Sequence, residues 1–326
     1  MLPHLDGSGS TRVVVTGGAG FIGSHLCDAL LARDSHVTCV DNLVGTAGAT
    51  RNIDHLVGDH RFELVVDSVL DWASNADLAG VDCVFHQAAS KNSVALDDPE
   101  HDLTVNGLAT LRLLLRCARD DVRKFVHAST GSVFGETNQP HDDRIPKRPV
   151  SLYGTSKLAG ESYCSVVGNT FGLDYTVLRY YHVIGPRQDW SERGGVVPIF
   201  ARRCLQRRPL KIYGTGEQTR SFTAVADIVA ANLLASDSTT TSGQSFTCAS
   251  GVAVSIRELA EFIIEETGSP REIVLEPSRA GDIEQFVVDN GPIRELGIEF
   301  DTDWRALVRD VIAWIKASGA VRTREP

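Results

Sequence analysis

Tyr153 and Lys157 stand four residues apart in the run Tyr153-Gly154-Thr155-Ser156-Lys157. On a helix, positions i and i+4 share one face, about one turn apart. A phenol in water holds its proton up to about pH 10. A lysine ammonium beside it favours the phenolate, the form that takes a proton from a substrate hydroxyl near neutrality. Ser129-Thr130 follows the run Lys124-Phe125-Val126-His127-Ala128, so a hydroxyl there could bridge Tyr153 and a substrate oxygen. Read alone, Thr130 could equally cap a turn. The tyrosine–lysine spacing is common, so its meaning depends on the chain around it.

That chain carries a glycine turn, Thr16-Gly17-Gly18-Ala19-Gly20-Phe21-Ile22-Gly23. Arg12-Val13-Val14-Val15 before it reads as a buried strand. Phe21 to Leu31 after it reads as a helix. Strand, glycine turn and helix in that order make a dinucleotide site. Gly17 permits the tight turn, Gly20 lets the backbone approach a pyrophosphate, and Gly23 lets helix and strand pack closely. The helix N-terminus, with Phe21 and Ile22 in its first turn, offers free N–H groups to the phosphates. The spacing is G-x-x-G-x-x-G. The next strand, Ser35 to Val40, ends in Asp41-Asn42. A carboxylate about 20 positions past the turn accepts hydrogen bonds from the adenosine ribose and repels a 2′-phosphate, so NAD is expected over NADP.

The elements that hold these residues alternate. Strands are expected at Phe62–Val66, Val81–Gln87, Lys124–Ala128 and Tyr175–Tyr180, with Asp67-Ser68 and the small Ala88-Ala89 at strand ends. Pro99 opens a helix carrying Leu103, Leu108, Leu111, Leu114 and Leu115. Alternation implies an α/β fold, a Rossmann-type doubly wound parallel sheet with ligands at the carboxyl ends of its strands. Past residue 187 loops interrupt the pattern, and two helices stand out, around Ile256–Ile264 and Trp304–Ile312. The expected division is 1–187 for the dinucleotide domain, with a return around 223–250, and 188–326 for a smaller mixed α/β substrate domain.

The 326 residues are 42% apolar with a formal charge of −10 and no lysine/arginine-rich run. A nucleic-acid partner, which demands a basic face, is therefore not expected. No apolar run approaches the roughly 20 residues that cross a bilayer. The 7 cysteines are odd in number and scattered. Neither metal-type spacing nor an export segment is present, so a reduced, cytoplasmic setting is expected, without a metal.

Taken together, these motifs make the chain resemble an extended short-chain dehydrogenase/reductase of the NDP-sugar epimerase/dehydratase family, most of all the UDP-hexose 4-epimerases. The resemblance rests on Thr16 to Gly23, Asp41-Asn42, Phe85-His86-Gln87-Ala88-Ala89, Asn106, Ser129-Thr130, Val133-Phe134-Gly135 and Tyr153 with Lys157. Further on it rests on Gly185-Pro186-Arg187-Gln188, Gly214 to Arg220 and Arg279-Ala280-Gly281-Asp282. It implies Tyr153 as base, Lys157 as its activator and Thr130 as hydroxyl partner. It implies NAD contacts from Gly17, Gly20, Phe21, Ile22, Gly23, Asp41, Asn42, Asp67, Ser68, Gln87, Ala88, Ala89, Lys91, Asn106, Tyr153, Lys157 and Tyr180. For the sugar nucleotide it implies Lys91, Thr130, His182, Val196, Tyr213, Arg220, Arg279 and Asp282. It also implies a homodimer through the helix after Pro99 and the helix holding Tyr153.

Within the family, 4,6-dehydratases carry an aspartate–glutamate pair after the threonine. Here Gly131 and Ser132 follow Thr130. The expectation is a 4-epimerase acting on a UDP-hexose through a transient 4-ketose. A nucleotide-sugar dehydratase remains the alternative, since Ser90-Lys91-Asn92-Ser93 resembles a loop of a 5,6-dehydratase. A non-catalytic NAD-binding sensor is the alternative of another class. His182 stands where many members have asparagine, and Phe286 where members gate the sugar 2-substituent.

Overall fold

The computed structural model describes residues 10–44, 50–142, 144–270, 272–278 and 283–319. The valine run of the first strand shows how the fold is built. In β1 (Arg12–Thr16) the side chains alternate between faces: Val13 and Val15 enter one apolar core, Val14 another. A strand buried on both sides is what a parallel sheet covered by helices requires. β1 is followed by α1 (Phe21–Leu31), β2 (His36–Asp41), β3 (Phe62–Val66), α2 (Val69–Asn75), β4 (Cys83–His86) and the short α3 (Asn92–Ala95) and α4 (Pro99–Leu103). Then come α5 (Thr110–Arg119), β5 (Lys124–Thr130), α6 (Leu152–Phe171), β6 (Tyr175–Tyr180) and β7 (Val183–Ile184).

The remainder is α7 (Val196–Leu205), β8 (Leu210–Tyr213), β9 (Thr219–Ser221), β10 (Thr223–Ala224), α8 (Val225–Asp237), β11 (Gln244–Cys248) and β12 (Ala253–Ser255). It ends with α9 (Ile256–Thr267), β13 (Ile273–Glu276), α10 (Gly291–Glu295) and α11 (Trp304–Ala317).

Seven strands form one sheet in the order β11-β6-β5-β4-β1-β2-β3. Every pairing in it is parallel; Val13, for example, stands beside Val37 of β2 and Cys83 of β4. The strand order reverses between β1 and β4, and such a switch point opens a crevice at the strand ends. One face is covered by α1 and α8 through Leu26, Leu30 and Ile228; the other by α2, α5 and α6 through Ala73, Leu113, Leu114 and Cys164. The expected doubly wound Rossmann-type sheet is therefore present. The edge strand β11 comes from far downstream and pairs with β6 along Gln244–Cys248.

A third core lies among α7, α9 and α11, built from Phe200, Leu259, Ile263, Val308, Val311 and Ile312. The apolar stripes read at Ile256–Ile264 and Trp304–Ile312 pack there. Around it run three two-stranded sheets: β7 with β10, β9 with β12 and β8 with β13.

One element departs from expectation. The helix opened by Pro99 is not continuous: between α4 and α5 the chain widens into a π-helical stretch, Thr104–Ala109. The leucine spacing shows why one regular stripe does not fit. Leu103 and Leu108, five residues apart, are both exposed, while Asn106 between them is buried. The wide turn aims polar side chains inward, and π-bulges occur often at functional sites.

Candidate active site

The glycine turn explains itself by contact. Gly17 has φ 69°, and a Cβ there would lie 2.6 Å from the Ala88 nitrogen. A Cβ at Gly23 would lie 2.2 Å from the Gly17 carbonyl oxygen. Strand β4 and helix α1 can approach the turn only because both side chains are missing. Gly20 is the N-cap residue of α1, and no side chain caps that end. The first-turn N–H groups, with the helix dipole behind them, are thus left for an anion.

Asp41 closes the turn from β2. Its carboxylate accepts the N–H of Ala19 (3.1 Å) and of Leu43 (2.8 Å). Burial pushes its carboxyl above the ordinary range, and these backbone donors oppose that. Asn42 accepts the Val44 N–H. Asp67 and Ser68 follow β3 directly: Asp67 accepts the Ser68 N–H, and Ser68 caps α2. Gln87 and Tyr180 meet at the ends of β4 and β6 around Asn232 of α8; the Tyr180 hydroxyl donates to Gln87 Oε1 at 3.2 Å.

The residues expected to handle protons meet at the end of β5 and the start of α6. Ser151 caps α6 by accepting the Gly154 N–H, so the helix begins just before Tyr153. Desolvation pushes the Tyr153 phenol up to about 12; Asp102 acts in the same direction, and a hydrogen bond with Thr130 pulls it back. Thr130 also accepts the Ser132 N–H at 3.2 Å. Lys157 is 1% exposed and its Nζ has no hydrogen-bond partner among the described residues. Desolvation brings it down to about 8. An unpartnered buried ammonium beside the glycine turn's crevice suits a ligand with hydroxyl oxygens, such as a dinucleotide ribose.

Behind this pair lies a polar layer of which the sequence reading singled out only Asn106 and Ser129. Asp102 is 1% exposed and accepts from Asn106 Nδ2 (2.9 Å) and Ser156 Oγ (2.5 Å). Asn106, expected among the cofactor contacts, uses its oxygen for the Ser90 N–H and its amide nitrogen for Asp102 and Ser156. Glu161 holds Arg179 in a two-pronged ion pair (2.9 and 2.8 Å) and accepts from Ser129 Oγ at 2.6 Å. The available signals were spacings: Asp102 and Asn106 stand at i and i+4, and Ser156 lies between Tyr153 and Lys157.

The expected substrate residues come from several elements. Lys91 follows β4 and is paired with Asp189 at 2.7 Å, which holds the buried carboxyl below its ordinary range. His182, at φ 38°, packs edge-on to Phe286, ring centroids 5.0 Å apart. Its Nδ1 has no hydrogen-bond partner among the described residues, and burial together with Arg220 keeps the ring neutral. Arg220 donates to the carbonyl oxygens of Thr219 and Ile283, both at 2.8 Å, with its guanidinium over Phe286. Val196 begins α7, and Tyr213 ends β8, its carbonyl accepting from Gln218. Arg279 and Asp282 lie outside the described residues.

Gly131 is crowded. A Cβ there would lie 2.1 Å from the Tyr181 ring. That ring is fixed by His141 Nδ1 at 2.9 Å from its hydroxyl. Among the described residues no group of His, Cys, Asp and Glu could hold a metal ion, and no helix is long and apolar enough to cross a membrane.

Comparison with known proteins agrees with this geometry. The profile of the NAD dependent epimerase/dehydratase family matches residues 13–249. The UDP-glucose 4-epimerase of Mycolicibacterium smegmatis is 38% identical over 296 residues, 87% of this chain and 92% of the relative. The crystal structure of a UDP-glucose 4-epimerase with UDP-glucose from Thermotoga maritima superposes with a TM-score of 0.87 at 32% identity, covering 94% of this chain and 99% of that one. The UDP-glucuronic acid 4-epimerase of Bacillus cereus, with UDP-glucuronic acid and NAD, gives 0.88 at 29% identity, covering 94% and 100%. A dinucleotide turn, a tyrosine–lysine pair and a family match across most of the length converge: the chain belongs to the NAD dependent epimerase/dehydratase family, and its cofactor is NAD.

Proposed function

We propose that the protein inverts C4 of a UDP-hexose of the glucose/galactose type. The observation that carries this reading over a dehydratase is the pocket beside Thr130. The two residues after Thr130 are not acids, and the Tyr181 ring occupies the space an acidic side chain at Gly131 would need. The nearby carboxylates are engaged: Glu161 by Arg179 and Ser129, Asp102 by Ser156 and Asn106. An elimination needs a free acid to move the leaving hydroxyl.

Thr130 and Lys157 hold Tyr153 for proton transfer with the sugar 4-hydroxyl. Tyr153 takes that proton as the 4-ketose forms and returns it as the alcohol is restored. Bound NAD supplies the redox chemistry by accepting the C4 hydride and giving it back to the other face of the ketone. The neutral His182 ring and Phe286, packed edge to face, are proposed as the surface against which a ketose turns over, with Val196 at the start of α7 proposed beside them. Arg220 supplies positive charge for the diphosphate, and Arg279 is proposed with it. The cofactor contacts proposed are the glycine turn, Asp41, Asp67, Ser68 and Lys157. We further propose a homodimer through α4, the π-helical stretch after it, α5 and α6, which leave Leu103, Leu108, Leu115 and Val166 exposed.

The test is proton NMR of the purified protein with UDP-glucose, UDP-N-acetylglucosamine or UDP-glucuronic acid, without added NAD. A new galacto anomeric signal with UDP-glucose is expected. Turnover of UDP-glucuronic acid alone reassigns the substrate. Alkene or keto products would point to the dehydratase, and silence with NAD present to a sensor.

A further inference from the structure

Asp102 has no place in the roles given so far, yet it is the buried carboxylate that faces both Tyr153 and Lys157 from outside α6. Among the described residues, the titratable groups around the Lys157 ammonium are Tyr153, one helical turn back, Glu161 and Cys164 on α6, Asp102 on α4, His86 on β4 and His127 on β5. Four of these six carry no uncompensated charge. His86 and His127 are buried and kept neutral, His86 at about 3. Burial pushes the Cys164 thiol far up, so it stays protonated. Glu161 is neutralised by the two-pronged pair with Arg179. Tyr153 is the acid that reacts. Asp102 has only neutral donors, Ser156 and Asn106, and no ion pair among the described residues.

The geometry makes this more than proximity. The Ser156 hydroxyl that donates to Asp102 also lies 3.0 Å from the Tyr153 carbonyl oxygen, inside the turn that separates Tyr153 from Lys157. Asn106, turned inward by the π-helical stretch, ties Asp102 to the Ser90 N–H, one residue before Lys91. One carboxylate thus braces the first turn of α6 and the loop after β4.

We infer that Asp102 is a positioning residue for the reaction proposed above: it fixes the Tyr153–Lys157 turn through Ser156, and it is a buried carboxylate beside that turn with no ion pair among the described residues. The inference rests on Tyr153 acting as the base. Removing the charge while keeping the shape lets both partners titrate at lower pH. Tyr153 loses a repelling anion, and Lys157 loses an attracting one.

The experiment compares wild type, Asp102→Asn and Asp102→Glu in the NAD-bound enzyme, with kcat measured across pH on the sugar nucleotide found active. In D102N both limbs of the bell move acid by about one pH unit, and the kcat loss is largest on the alkaline side. In D102E, which keeps the charge, the limbs stay and only the height falls. A D102N profile lowered but unmoved would reduce Asp102 to a packing role and overturn the inference; so would a D102E bell displaced toward acid, even if D102N fails to fold. A substrate-free arm separates this from the choice of reaction. Phenolate absorbance of cofactor-free protein, minus that of its Tyr153→Phe version, is titrated from neutrality upward. The Tyr153 midpoint falls below its wild-type value of about 12 in D102N; an unchanged midpoint overturns the inference whatever the enzyme turns over.

Discussion

Lys157 is buried without a described hydrogen-bond partner, so in the cofactor-free protein its charge costs stability. Its folded value, about 8, lies below the ordinary 10.5. Between those values the unfolded chain binds more protons, so stability rises as pH climbs through that window. Below about pH 8 the whole penalty is present, on the order of 3 kcal/mol at about 1.4 kcal/mol per pH unit. Lys157→Met should therefore melt higher than wild type at pH 7 without cofactor, the difference fading by about pH 10.5. The same variant should lose roughly 10²–10⁴-fold in kcat, because the phenol loses its activator. Differential scanning calorimetry at several pH values checks the first part, initial rates the second.

At the scale of elements, the sharpest constraint is the seam where the glycine turn meets β4. Gly17→Ala must accommodate a Cβ 2.6 Å from backbone, in a conformation that costs an L-residue about 1–2 kcal/mol. It should lower the melting temperature and weaken NAD binding at least about tenfold, roughly 1.4 kcal/mol; fluorescence titration with NADH measures it. A second seam joins α6 to β6 through Glu161 and Arg179. Glu161→Ala removes both carboxylate contacts from a 1%-exposed guanidinium and should cost about 3–5 kcal/mol in urea unfolding. The glycine seam was legible in the sequence because its spacing is local. The Glu161–Arg179 seam was not, since its partners lie eighteen residues apart in chain and meet only because α6 packs on the sheet.

At the scale of the molecule, exposed leucines from α4 through the π-helical stretch to α5, Leu108 among them, and Val166 on α6 set the assembly prediction. Leu108→Glu together with Val166→Glu should leave the fold intact and turn the proposed dimer into a monomer, read by sedimentation velocity. A wild-type monomer would refute the dimer.

The sequence by itself determined the parallel sheet, the glycine turn, the acid at the end of β2 and the Tyr153–Lys157 pair. Each is a local pattern, in which side-chain alternation, missing Cβ atoms or a four-residue helical spacing carries the physics. Only the tertiary structure decided the rest. β11 reaches the sheet edge from far downstream because β6 still had unpaired backbone to cover. The helix after Pro99 widens over Thr104–Ala109, which no leucine period announces. Gly131 stays bare because a ring fifty residues on fills its space. Those outcomes depend on which surfaces meet, and a contact between distant residues leaves no period in the chain for a reader to find.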